Sequence, residues 1–148
     1  MATSLYDEDL CLWSETTAKL LEQKRFDEID LEHLAEELHD VGKSERRTLR
    51  SQLERMMLHL LKWKYQPIMR TSSWRCSIQE GRRSIDQTVS DSPSLKRLVP
   101  DMIEQGYPYS REAAIAETGL PATMFPKECP FELNEILDYR FFPRADHE

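Results

Sequence analysis

Leu49-Arg50-Ser51-Gln52-Leu53-Glu54-Arg55-Met56-Met57-Leu58-His59-Leu60-Leu61-Lys62-Trp63-Lys64-Tyr65-Gln66-Pro67 is the stretch that decides the fold of this chain. Leu49, Leu53, Met56, Leu60 and Trp63 recur at steps of three and four, which is the buried edge of an α-helix and excludes an alternating strand. Pro67 lacks an amide hydrogen and disfavours helical geometry at Gln66, so it ends the helix. Upstream, Leu31, Leu34, Leu38 and Val41, followed by the polar Glu45, keep the same phase, and Asp30 is a natural N-cap. Gly42 offers a stop, with Ser44 beginning a new helix. A mid-helix glycine costs only about 1 kcal/mol relative to alanine. The sequence therefore predicts one helix from Asp30 to about Gln66, bent at most at Gly42, with the whole stripe buried.

Before it, Tyr6, Leu10, Trp13, Thr17, Leu20 and Leu21 read as one amphipathic helix capped by Ser4 with Asp7, and Arg25 to Ile29 as a connector. After Pro67, a start capped at Ser72 or Ser73 leads into an edge of Trp74, Ile78, Ile85 and Val89. Trp63 and Trp74 are expected to pack against each other across that turn. Ser92-Pro93 opens a further helix through Leu95, Leu98, Val99, Met102 and Ile103, with a kink or restart at Pro100. Tyr107-Pro108-Tyr109 is expected to interrupt it, and Ser110 to cap a helix ending at Gly119. Pro121, Pro126, Pro130 and Pro143 make the remainder ordered loop with one short helix at about Phe131 to Leu137, packed on the body by Phe125, Phe131, Phe141 and Phe142. The expected fold is all-α: a helical bundle built on a long central helix, with a Pro-rich C-terminal segment packed on it.

A chain of 148 residues fits a single domain, 1–148, of a size that buries roughly 68–70% of its unfolded surface. Cys11, Cys76 and Cys129 are odd in number and lack C-x-x-C spacing, which points to a reducing setting without disulfide or zinc. Met1 to Asp7 shows no basic-then-apolar leader and no long apolar run follows, so the expected location is cytoplasmic, with no membrane span.

The net charge of −7 is unevenly distributed: −9 from Met1 to Gly42, +8 from Lys43 to Arg83 and −6 from Ser84 to Glu148. A basic middle between acidic flanks is either an anion-facing patch or a surface that the flanks fold over and neutralise. Arg55, His59, Lys62 and Gln66 line one polar edge of the central helix. With Arg70 and Arg75 they form the candidate binding set. An imidazole beside fixed cations suits a phosphate-bearing ligand; the same residues also serve as ordinary boundary side chains covering apolar surface. Trp63, Tyr65 and Trp74 interleaved with Arg70, Arg75, Arg82 and Arg83 can stack on bases, or can be an aromatic core rimmed by arginines.

Glu36 and His39 have the spacing of one half of a bundle di-iron site, but no second Glu-x-x-His exists, so no metal and no cofactor is expected. Glycine-rich phosphate loops and nucleophile elbows are absent from the sequence. Arg55 and His59 have three intervening residues, one fewer than the minimum used by helical ribonucleases of the nucleotide-binding-partner type. A site joining Glu36 or Glu37 to His59 within the chain requires a hairpin at Gly42-Lys43-Ser44. A continuous helix forbids it, since 22 residues at 1.5 Å each separate Glu37 from His59 by about 33 Å.

Leu31-Glu32-His33-Leu34-Ala35-Glu36-Glu37-Leu38, Gly42-Lys43-Ser44-Glu45-Arg46-Arg47, the run His59 to Pro67, Ser73-Trp74, Ser92-Pro93-Ser94-Leu95 and Phe125-Pro126-Lys127-Glu128-Cys129-Pro130 together resemble the bacterial domain-of-unknown-function 29 family over nearly the whole chain. The resemblance implies an all-helical, cytosolic, single-domain protein and supplies no reaction, ligand or catalytic residue. Whether the chain is an enzyme stays open. The expected function is a non-enzymatic helical interaction module, its partner a protein or a second copy of the chain. The alternative is a nucleic-acid-binding protein or metal-assisted nuclease using Glu36, Glu37 or His59.

Overall fold

A computed structural model describes residues 3–148; Met1 and Ala2, with which the stretch Met1 to Asp7 opens, lie outside the described part. It is all-helical, with six α-helices among the described residues and a long central one. These are α1 (Leu5–Glu8), α2 (Leu10–Glu22), α3 (Leu31–Tyr65), α4 (Ser72–Asp91), α5 (Val99–Thr118) and α6 (Leu133–Leu137), linked by short 3-10 turns. No helix among the described residues is long and apolar enough to cross a membrane. The chain forms two compact units, one ending at Ser44 and the other spanning Glu45–Glu148. The 35-residue α3 runs without a break through Gly42, so the hairpin at Gly42-Lys43-Ser44 does not form.

In the first unit the single amphipathic helix expected from Tyr6 to Leu21 is divided at Asp9, which leaves helical geometry. The aspartate instead caps α2, its carboxylate accepting from the Leu12 amide at 2.9 Å, a case of a short polar side chain competing with the helix backbone. Trp13, Thr17 and Ile29 are buried. Tyr6 stacks on His33 at 3.9 Å, meets Trp13 edge-on at 5.0 Å, and donates its hydroxyl to Glu37 at 2.5 Å. Asp30 caps α3 as the sequence predicts, accepting from the His33 amide at 3.2 Å.

The expected burial of the first third of α3 fails. Leu31 and Leu38 are each 64% exposed and Val41 61%, although the same stripe from Leu49 onward is buried. Phase along a helix says which residues share a face; only a packed neighbour buries that face.

In the second unit Leu49, Leu53, Met56, Met57, Leu60, Leu61 and Trp63 of α3 pack with Ile78 and Ile85 of α4, Met102, Ile103 and Tyr107 of α5, and Phe125, Phe131 and Ile136 beyond it. Pro67 ends α3 as expected. The cap of α4 is Thr71, one residue before the predicted serines, its hydroxyl accepting from the Trp74 amide at 3.2 Å. Trp63 is buried, but its ring partner is Phe142 at 5.0 Å. Trp74 is only half-buried and carries the Lys62 ammonium 5.0 Å above its ring. Residues Pro93–Leu98 form a 3-10 turn, and α5 restarts at Val99 with Pro100 in its first turn.

The expected interruption at Tyr107-Pro108-Tyr109 does not occur, since α5 passes through Pro108. A proline removes one backbone bond, here to the Glu104 carbonyl; both residues lie on the exposed side, where water can serve that oxygen. The opposite side is fastened to α3. Ser110 donates to the Glu54 carbonyl at 2.7 Å, and a Cβ on Gly106 would stand 2.8 Å from Glu54 Cγ, so glycine is what allows so close an approach. Ser110 is thus an anchor inside α5, and Gly119, at φ 69°, terminates it as predicted.

The C-terminal segment is held by Arg82, which is 0% exposed. Its guanidinium donates to the carbonyls of Ile136 (2.9 Å), Glu135 (3.2 Å) and Phe141 (2.8 Å) and to Gln79 Oε1 (3.1 Å). Glu135 and Ile136 belong to the last turn of α6, where carbonyls have no helical partner and a cation is favoured. Each orphaned buried carbonyl costs about 1–3 kcal/mol, so Arg82→Ala should lower stability in urea unfolding by about 3 kcal/mol or more. A second backbone test lies in the first unit. Lys24, at φ 57°, occupies the left-handed position after α2, its amide and that of Arg25 closing on Leu21 and Leu20. A side chain there costs about 1–2 kcal/mol. Lys24→Gly should therefore raise the melting temperature, whereas Lys24→Val should lower it.

Candidate functional site

Between α3 and α4 lies a cavity of about 400 Å³. From α3 it is lined by Gln52, Arg55 and His59, and from α4 by Ser77, Glu80 and Ser84. Steps of three and four put each set on one face of its helix. Met56 and Gly81 also line it; a Cβ on Gly81 would stand 2.4 Å from the Met56 methyl, so the methionine tip rests directly on the α4 backbone.

Of the six residues that the sequence nominates, Arg55 and His59 meet in this cavity. The other four serve elsewhere. Lys62 pairs with Glu117 of α5 at 3.0 Å, and Gln66 is half-buried at the junction, its amide donating to the Lys62 carbonyl at 2.9 Å. Arg70 donates to the Trp63 carbonyl at 2.8 Å and the Pro143 carbonyl at 3.3 Å, and pairs with Glu148 at 2.7 Å. The Arg75 guanidinium lies 4.2 Å from the Phe142 ring centre and 5.3 Å from that of Trp63. With Lys64 bound to Asp146 at 3.1 Å, three cations of the basic middle are matched by carboxylates from the acidic C-terminal third. Lys43, Arg46, Arg47 and Arg50 on α3 are exposed.

Gln52, Ser77, Glu80 and Ser84 escaped the sequence reading. Their signal was available in the three- and four-residue steps beside Ile78 and Ile85, but hydroxyls and a carboxylate on a helix face look like any solvated surface. Glu36 and His39 are exposed, and among the described residues no group of three or more His, Cys, Asp or Glu side chains is arranged to hold a metal ion.

Burial holds the His59 imidazole below its ordinary pKa, Lys62 and Arg55 add to that effect, and Glu117 opposes it. His33 moves the other way, raised chiefly by its bond to Asp30. Below the ordinary imidazole value of about 6.5, the unfolded chain binds more protons at His59 than the folded one, so stability falls with acidification there. For His33 the folded chain holds the proton more tightly. Its contribution is complete below the unfolded value and is lost as pH rises through the raised folded one. Melting curves across about pH 5 to 8 should accordingly show His59→Gln flattening the acid side and His33→Gln the alkaline side. An NMR titration placing His59 above the ordinary value would contradict the assignment.

No curated protein and no solved structure matches the chain. Residues 5–142 match the family described as Domain of unknown function DUF29, which spans the cavity, both of its helices and the arginine-held C-terminal segment. The chain belongs to the DUF29 family.

Proposed function

We propose that this protein is a non-enzymatic interaction module, acting as one domain, whose docking edge is the apolar stripe Leu31, Leu38 and Val41 on the first third of α3. The observation that carries the reading is the exposure of these three side chains, 64%, 64% and 61%, on one helical edge. Scattered exposed leucines are ordinary, but three apolar side chains on one edge at helical spacing, with the half-buried Leu34 between them, suit an interaction surface. The match to DUF29 through residues 5–142 supports treating the chain as one domain. Free cysteines, with Cys11 and Cys76 exposed, suit the reducing cytoplasm of a bacterium.

The occupant we assign is an amphipathic helix of a partner protein with a cationic rim. Asp30 at the cap and Glu32, Glu36, Glu37 and Asp40 on the same segment of α3 lie within a stretch of charge −9, so an apolar stripe between lysines or arginines is the complementary shape. The nucleic-acid alternative finds less support. Lys62 and Arg70 are ion-paired, and Arg75 lies against aromatic rings.

A fluorescent leucine-lysine amphipathic peptide should bind the wild-type chain, more weakly as salt is added. Leu38→Asp should abolish that binding while shifting stability by no more than about 0.5 kcal/mol, as for other exposed positions. Sedimentation of the free protein tests the other occupant. A dimer that Leu38→Asp dissociates would replace the partner helix with a second copy of the chain. A monomer that ignores the peptide but shifts on DNA would overturn the reading in favour of the alternative.

A further inference from the structure

The cavity between α3 and α4 is independent of the docking edge, and its chemistry is specific. Its lining holds one fixed cation, Arg55, from α3 and one carboxylate, Glu80, from α4. Among the described residues the two are not within ion-pair distance of each other, and Arg55 forms no ion pair. Glu80 holds only Arg83, at 3.2 Å, and both side chains are more than 70% exposed, an arrangement worth little against a competing ligand.

His59, whose pKa burial lowers, presents one donor and one acceptor when neutral. Ser77 and Ser84 are likewise able to donate or accept. A phosphate or simple carboxylate would satisfy Arg55 but meet repulsion from Glu80; a simple amine would do the reverse. A ligand carrying both charges a few bonds apart satisfies both walls at once.

We propose that this cavity binds a small zwitterion of the amino-acid class, its carboxylate on Arg55 and its ammonium on Glu80. The guanidinium fork suits a carboxylate, while the Met56 tip resting on Gly81 supplies an adaptable apolar floor for a side chain. At about 400 Å³ the space lies toward the lower end of small-molecule pockets.

Titrating the full-length protein with L-alanine, L-glutamine and L-methionine, while following the Gly81 amide and His59 imidazole by NMR, tests the assignment. At least one should saturate both signals at millimolar concentration, with acetate, methylammonium and inorganic phosphate each binding more weakly. Arg55→Gln and Glu80→Gln should each weaken the amino acid by about tenfold, equivalent to about 1.4 kcal/mol. The comparison of probes on the wild-type chain decides the matter even if a variant misfolds. Phosphate or acetate saturating as readily as the amino acids would make this a plain anion site and overturn the proposal. So would amino-acid binding that is indifferent to both substitutions, or no response to any of the three.

Discussion

The second unit depends on a guanidinium that, among the described residues, makes no ion pair. Arg82 is wholly buried, and desolvation, the chief influence on it, disfavours its charge, with Asp138 and Tyr139 opposing. An unpaired buried cation is among the costlier arrangements in a protein. It is tolerable here because three backbone carbonyls and the Gln79 side chain surround the group. Two of those carbonyls sit at the C-terminal end of α6, where the dipole of even a short helix contributes partial negative charge. The arginine thus joins α4 to a segment that has little regular structure of its own. Without that joint, Phe131, Phe141 and Ile136 would lose the buried tie that sets their segment against α4 in the core.

That joint has consequences for charge. Once the C-terminal segment lies on α3 and α4, Asp146 and Glu148 come to Lys64 and Arg70; Glu117 of α5 separately pairs with Lys62. Each such pair is partly exposed and worth little singly, but together they occupy cations that a nucleic acid would need. Arg55 escapes because its stretch of α3 faces the cavity, where the opposing wall offers only Glu80 at longer range. Ion pairing by the chain's own acidic flank is therefore concentrated near the turn at Pro67, and among the described residues none of it reaches Arg55.

The sequence was most legible where one local rule acted alone. Asp30, Pro67 and Gly119 are a cap, a stop and a left-handed terminus, and each does what its chemistry requires. Continuity of α3 followed from phase, since the glycine penalty is small against a buried stripe. The reading failed where tertiary contact overruled a local preference. Pro108 does not break α5 because Gly106 and Ser110 fasten the other side of that helix to Glu54. Trp74 does not join Trp63 because Phe142, from the far end of the chain, takes that place. Two of the six polar side chains lining the cavity were legible for a similar reason: histidine and arginine on an amphipathic helix draw notice, whereas Gln52, Ser77, Glu80 and Ser84 become meaningful only when the two helices face each other.

The exposed edge of α3 also sets the kind of partnership it can support. Fully burying a leucine or valine side chain contributes about 1.5–3 kcal/mol, and Leu31, Leu38 and Val41 are already about one-third covered. The gain still available from three such residues is then a few kcal/mol, while association itself costs at least about 4 kcal/mol in lost freedom. Hydrophobic contact at this edge alone cannot hold a partner tightly. On the proposed reading, the acidic residues around it supply the difference, chiefly by accelerating encounter with a cationic helix and by rejecting anionic ones. For the proposed partner those magnitudes imply a weak, fast, salt-sensitive association and not a permanent subunit interface.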